Sequence, residues 1–252
     1  AVKWDLGVNF SLNRSKVLVL SEDKDIFGGE LDNTILKDQL NLMRVGEPMY
    51  VFYGYVEDGY DENGHIVYKN MDDDPAITAA DKTIIGDPNP DFLVNLTTAV
   101  SYKGFTLSAF FQSSIGNDIY SLSMAAQAYD YGYNGNTLRE VYYNHWTPEN
   151  PTAKYPNLDQ TSYKMSDRFV YDGSFVRLKN LELAYDVPCA RSKFIKRARV
   201  YVSAQNLFTI TSYPFWDPDI NANGGGSSMI QGVDSYCYPS ARTYTIGCRL
   251  TF

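Results

Sequence analysis

"RTYTIGCRLTF" (residues 242–252) decides how this sequence is read. Tyr244, Ile246, Cys248, Leu250 and Phe252 are apolar or aromatic, while Thr243, Thr245, Gly247, Arg249 and Thr251 between them are polar or small. A period of two places the two sets on opposite faces of a β-strand. Chain ends ordinarily fray unless something ties them down. A strand pattern that runs to the last residue therefore predicts an end that is paired.

The same period recurs away from that end. In residues 2–13, Val2, Trp4, Leu6, Val8, Phe10 and Leu12 alternate with Lys3, Asp5, Gly7, Asn9, Ser11 and Asn13. A polar turn at 13–15 then leads into "KVLVL" at 16–20. Phe92, Val94, Leu96, Thr98 and Val100 are in phase, Lys103-Gly104 turns the chain, and Phe105, Leu107, Ala109 and Phe111 resume the pattern. With further runs in 168–186, 197–209 and 241–252, about seven strands are expected by this alternation.

The connections fall into two sizes. Short turns are expected after 13, 101 and 186, and long excursions over 21–91, 116–167 and 210–240, with "GEPMYVFYGYVEDG" (46–59) inside the first. Short turns at one end and long loops at the other, joining strands of about ten residues, are the pattern of an antiparallel transmembrane β-barrel. With the first strand running inward, Phe252 is expected in the periplasm. An odd strand count does not close, so the chain is expected to be the C-terminal part of something longer. The same alternation also suits a soluble β-sandwich, whose apolar faces meet in a core.

Composition narrows the partners. The net charge is −8 and the pI near 4.8, which argues against nucleic acid, whose phosphates need a basic face. The basic cluster at Arg191, Lys193, Lys196, Arg197 and Arg199 reads as a solvated turn. An aromatic share of 15% suits strands, membrane interfaces and sugar-stacking surfaces. Cys189, Cys237 and Cys248 show no metal-ligand spacing, and a Cys189–Cys237 bridge stays open. His65 and His145 are the only histidines, and neither a catalytic triad nor a phosphate-cradling loop is legible, so no enzyme is expected.

Longer words of the sequence add a resemblance. "IIGDPNPDF" (84–92), "WTPENPTAKYPN" (146–157), "SDRFVYDGSFVRLKNLELAY" (166–185), "RVYVSAQNLFTIT" (199–211), "DPD" (217–219) and "YPSARTYTIGCRLTF" (238–252) resemble the C-terminal barrel region of the SusC/RagA family of TonB-dependent outer-membrane transporters. The resemblance implies a 22-stranded barrel in the outer membrane, plugged by an N-terminal domain through which the TonB complex acts. It also implies a SusD-like lipoprotein lid, an oligosaccharide or peptide substrate, and contact with membrane lipid. By similarity to other outer-membrane barrels, Tyr244, Ile246, Leu250 and Phe252 are the residues the barrel assembly machinery grips. No cofactor is required. The rival expectations are a soluble carbohydrate-binding β-sandwich and a small stand-alone porin.

Two candidate sites lie in the long excursions. In "NMDDDPAITAAD" (70–81), Asn70, Asp72, Asp74 and Asp81 occupy the first, third, fifth and twelfth positions of a calcium-like loop, so oxygens are expected to converge on a calcium or magnesium ion. Pro75 stands where such loops carry glycine, and a plain solvated acidic loop is the alternative. Tyr131 and Tyr133 in "YDYGYNGN", with Tyr213 and Trp216 in "SYPFWDPD", offer rings and polar tips for stacking on a sugar; loop packing or an aromatic girdle is the bland alternative. Arg177 and Asn206 are expected to hydrogen-bond within the wall.

Overall fold

In the computed structural model, which describes residues 1–32, 36–129, 136–189, 194–220 and 229–252, the alternating segments form one antiparallel sheet. Its strands are β1 (Lys3–Ser11), β2 (Phe92–Tyr102), β3 (Phe105–Ile115), β4 (Phe175–Val187), β5 (Arg197–Thr211) and β6 (Thr243–Thr251). They lie side by side in chain order, with β1 and β6 at the two edges. A tilted strand needs about 9–11 residues to cross a bilayer, and these have 9 to 15.

The register keeps the two faces separate across all six strands. Leu6 pairs with Thr98, Thr98 with Ala109, Ala109 with Leu181, Leu181 with Ala204 and Ala204 with Tyr244. One row toward the strand ends, Trp4, Val100, Leu107, Leu183, Val202 and Ile246 succeed one another in the same way. A slip of one residue between any two strands would mix the faces. This apolar face is bare: Trp4 is 66% and Ile246 84% exposed, and no second layer of described residues covers it. A soluble sandwich buries this face, so that alternative does not describe the fold.

On the opposite face the intervening rows hold Asn95, Thr97, Ser108, Gln112, Glu182, Ser203 and Thr245, with Phe110 and Tyr201 among them. Arg249 is here too, opposite Arg199, whose guanidinium lies 3.3 Å from Asp186 and 3.6 Å from Glu182. The Tyr201 ring lies over its cross-strand partner Gly247, where an added Cβ would stand 2.5 Å from the phenol.

The connections separate by end. Lys103-Gly104, both at positive φ, makes a two-residue hairpin between β2 and β3, and residues 188–196 join β4 to β5. The chain enters β1 and leaves β6 at this same end, so Phe252 lies beside the short turns. The other end carries residues 12–91, 116–174 and 212–242. Two expectations are corrected. Residues 16–20 form no strand: Val17 alone is held, by backbone bonds to Gly46 and Glu47, so no hairpin turns at 13–15. The main sheet therefore has six strands, and β1 runs toward the long connections.

Those connections carry the hydrophobic core. Leu36, Leu40 and Phe52 from the first, Tyr120, Leu122, Tyr155 and Phe169 from the second, and Ile230 and Val233 from the third form one buried cluster. Short strands organise it, among them Ile26–Phe27, Asn41–Met43, Val51–Gly54 and Thr83–Gly86 in one sheet. The helix Leu122–Tyr129 threads its middle, and Tyr129 stacks on Tyr163 at 3.7 Å. Each such side chain stabilises by about 1.5–3 kcal/mol when fully buried. The stretch 46–59 sits inside this body, outside the main sheet, as its sequence suggested.

Candidate functional site

The main sheet and the last long connection meet at a bulge. Between β4 and β5 the register steps from Leu178–Phe208 to Asn180–Gln205. Asn206, inside the step, has φ of +52°, a left-handed conformation that asparagine tolerates better than most residues. Its Nδ2 donates to the Ala241 carbonyl at 2.9 Å, fixing where the connection enters β6.

Beyond the bulge, on the polar face, Arg177 is 1% exposed. Its Nε donates to Thr209 Oγ1 at 2.9 Å, its Nη1 to Ser240 Oγ at 3.1 Å and Asp219 Oδ2 at 3.3 Å, and its Nη2 to Asp217 Oδ1. Asp217 also accepts from the amides of Ser240 at 2.8 Å and Asp219 at 2.9 Å. Burial pushes the Asp217 carboxyl upward; the amides of Ser240 and Asp219, with Arg177, outweigh it and hold the group below the usual carboxylate range. One guanidinium thus locks β4, β5 and both ends of the 212–242 connection together.

A cavity of 340 Å³ opens against this lock, lined by Arg177, Asn206, Thr209, Trp216 and Arg242. Trp216 is 57% exposed and stacks on Phe215 at 4.9 Å. A flat ring beside amide and guanidinium donors can hold a hydroxyl-rich or carbonyl-rich ligand by stacking and hydrogen bonds. Pro218 is shared with a second cavity of 440 Å³, bordered by Tyr50, Asn89, Asn117, Asp118 and Asp219. Burial raises the pKa of Asp118, and the neighbouring carboxylates of Asp87 and Asp172 add to the effect.

The other candidates are placed as follows. Tyr213 is 4% exposed; its hydroxyl donates to Asp234 Oδ2 at 2.6 Å and lies 2.8 Å from Ser121 Oγ. Burial and the Asp234 contact raise its pKa. Tyr213 and Trp216 therefore do not share a surface, while Tyr131 and Tyr133 lie outside the described residues. In the acidic stretch, side-chain oxygens of Asn70, Asp72 and Asp74 accept from the amides of Asp72, Asp74 and Ala76 in successive Asx turns. Asp81 turns inward: Met71 and Thr78 each donate an amide to it at 2.7 Å, which lowers its pKa. Among the described residues no three acidic, histidine or cysteine side chains gather as a metal ion would require.

Comparison with known proteins bears on the whole chain. No family-level sequence profile matches it. TonB-dependent receptor P3 of Formosa agariphila is 32% identical over 270 residues, covering 99% of this chain and 27% of that protein. TonB-dependent receptor SusC of Bacteroides thetaiotaomicron is 28% identical over 259 residues, covering 99% of this chain and 24% of its own length. The structure of the RagAB peptide transporter superposes with a TM-score of 0.80 at 25% identity, covering 100% of this chain and 27% of that one. The chain belongs to the SusC/RagA family of TonB-dependent receptors. It spans about a quarter of the length of the relatives it matches.

The proteins that this SusC/RagA-type chain matches are TonB-dependent receptors and a peptide transporter rather than enzymes. Asn206 and Arg177 do hydrogen-bond within and beside the sheet. What sequence reasoning missed was the partner set: Thr209, Asp217, Asp219 and Ser240. The available signal was a lone arginine on a polar strand face together with the Asp-Pro-Asp of 217–219.

Proposed function

We propose that this chain supplies wall strands and outer loops to a TonB-dependent outer-membrane importer of the SusC type. Its substrate is an oligosaccharide or peptide, taken up with a SusD-like surface lipoprotein. The observation that carries the reading is the bare apolar face, continuous over six strands whose opposite face is mainly polar. Water disfavours that face by about 25 cal/mol for each Å² exposed, and hydrocarbon removes the penalty.

The open edges of β1 and β6 fit this reading, since a barrel satisfies such edges by closure and six strands are too few for the 22-stranded wall implied by the family resemblance. Further strands and a plug then complete the barrel, and the plug engages TonB. Short turns are periplasmic in bacterial barrels, which puts Phe252 in the periplasm and the core of the long connections outside. The tied C-terminal strand, Tyr244 to Phe252, is the segment that the assembly machinery engages. The cavity beside Trp216 faces the route a cargo takes.

The test is to tag the native gene and fractionate the cells. A heat-modifiable species in the outer membrane that resists carbonate and co-purifies with a surface lipoprotein is expected, with loss of growth on an oligomeric nutrient when the gene is deleted. Recovery of the intact protein in the soluble fraction would overturn the reading.

A further inference from the structure

We infer that the cavity beside Trp216 holds a uronic acid unit of an acidic oligosaccharide, with the sugar ring on Trp216 and its carboxylate at Arg242. The inference rests on the importer reading proposed above and deepens it by naming the cargo.

The charges of the cavity do not balance. Its lining holds two arginines, Arg177 and Arg242, and one aspartate, Asp217. Arg177 and Asp217 are engaged with each other, and Arg177 has Asp219 as a further partner. Arg242 is exposed and, among the described residues, has no hydrogen-bond or salt-bridge partner. Its backbone is nonetheless placed: two residues earlier the Ser240 amide donates to Asp217 Oδ2, and one residue earlier the Ala241 carbonyl accepts from Asn206 Nδ2. A guanidinium held at a cavity without a carboxylate of its own fits a carboxylate brought by a ligand, which it binds through two parallel hydrogen bonds.

The remaining groups select a sugar acid. Arg177 donates to Thr209 Oγ1 and Ser240 Oγ, so each hydroxyl keeps its hydrogen for a ligand oxygen. Asn206 is the reverse: its Nδ2 is engaged by Ala241, while its Oδ1 is buried without a hydrogen-bond partner among the described residues. A ligand hydroxyl satisfies such an acceptor. Trp216 supplies the platform, because its ring stacks on Phe215, which packs against the loop core, and stays 57% exposed at the cavity. A uronic acid carries all three complements in one unit: an apolar ring face for the indole, a hydroxyl for Asn206 and a carboxylate for Arg242. A peptide offers a carboxylate only at its terminus or on acidic side chains. At 340 Å³ the cavity lies at the small end of the roughly 300–1,000 Å³ of ligand sites, which suits one unit of a cargo rather than a whole oligomer.

The test is isothermal titration calorimetry on the full receptor purified in detergent. The probes are trimers of galacturonic, glucuronic and mannuronic acid, each beside the same trimer with its carboxyls reduced to alcohols, and trialanine. At least one uronate trimer is expected to bind about tenfold more tightly than its reduced form. Arg242→Gln is expected to abolish that preference and Arg242→Lys to keep part of it, while Trp216→Ala weakens the uronate and its reduced form by a similar factor. Heat-modifiable migration of each variant confirms the fold. Equal binding of the reduced trimers, tighter binding of trialanine than of every uronate, no binding by the folded parent, or a preference that survives Arg242→Gln overturns the sugar-acid site alone. Absence of the parent from the outer membrane overturns the functional reading as well.

Discussion

Arg177 on β4 and Asp217 in the last long connection form an ion pair buried at the junction of sheet and loops. Arg168–Glu57 and Lys82–Asp38 are also largely buried, within the long connections, whereas pairs such as Lys3–Asp5 and Lys24–Glu22 are exposed, where each contributes about 0–1 kcal/mol. Removing one partner of the Arg177–Asp217 pair strands the other charge in a desolvated site.

Arg177→Ala or Asp217→Ala is therefore expected to destabilise the junction by about 3–5 kcal/mol. Replacing both, as Arg177→Met with Asp217→Leu, is expected to recover part of that loss: neither buried charge is left facing a vacancy, while Asp219 and the amides of Ser240 and Asp219 each lose a partner. Limited proteolysis within 212–242, with a full double-mutant cycle, measures both effects. A cycle in which the two single losses simply add would show that the pair does not act as a unit.

Acid sensitivity has a defined direction. The Asp217 and Asp81 carboxyls both have pKa values lowered by folding, so each adds stability that is fully present above its unfolded value of about 3.9. That contribution fades as pH falls through the lower folded value. Protease resistance of the long connections is expected to be flat from pH 7 to about 4 and to drop below it. A drop already complete at pH 6 would point to other groups.

The two faces of β6 predict opposite responses to the same substitution. Ile246→Arg places a guanidinium on the apolar face, at a cost of about 2–4 kcal/mol near the bilayer midplane. Thr245→Arg, one residue away, places it on the face that already holds Arg249. Assembly yield in the outer membrane is expected to fall for Ile246→Arg and to hold for Thr245→Arg.

At the bulge, Asn206 combines a left-handed backbone with a side-chain bond to Ala241. Asn206→Val loses both and is expected to cost about 2–3 kcal/mol, while Asn206→Gly keeps the backbone and loses only the bond, about 1 kcal/mol. Thermal melts of the two variants should differ in that order.

The sheet was legible because its signal is redundant: alternation over nine or more residues, as in Lys3–Ser11 or Thr243–Thr251, survives any single exception. The "KVLVL" of 16–20 satisfied the composition of a strand, yet Val17 alone finds backbone partners, and pairing is a property no single segment encodes. The loop core was illegible for a related reason. Phe52, Tyr120 and Phe169 are buried from short elements of few residues, too brief to show a period, and they come together only across more than a hundred positions of sequence. Tyr213 looked like a ligand-stacking ring beside Trp216, but its hydroxyl reaches Asp234 and Ser121 inside the loop body.

The most direct test of the account is a nitroxide scan along β5 from Ala198 to Gln205 in native outer membranes, after replacement of Cys189, Cys237 and Cys248 by serine. Collision with oxygen, which concentrates in hydrocarbon, is predicted to peak at 198, 200, 202 and 204 and to dip at 199, 201, 203 and 205. A profile without that two-residue period, or with its peaks on Arg199, Tyr201 and Ser203, would contradict a lipid-facing apolar surface.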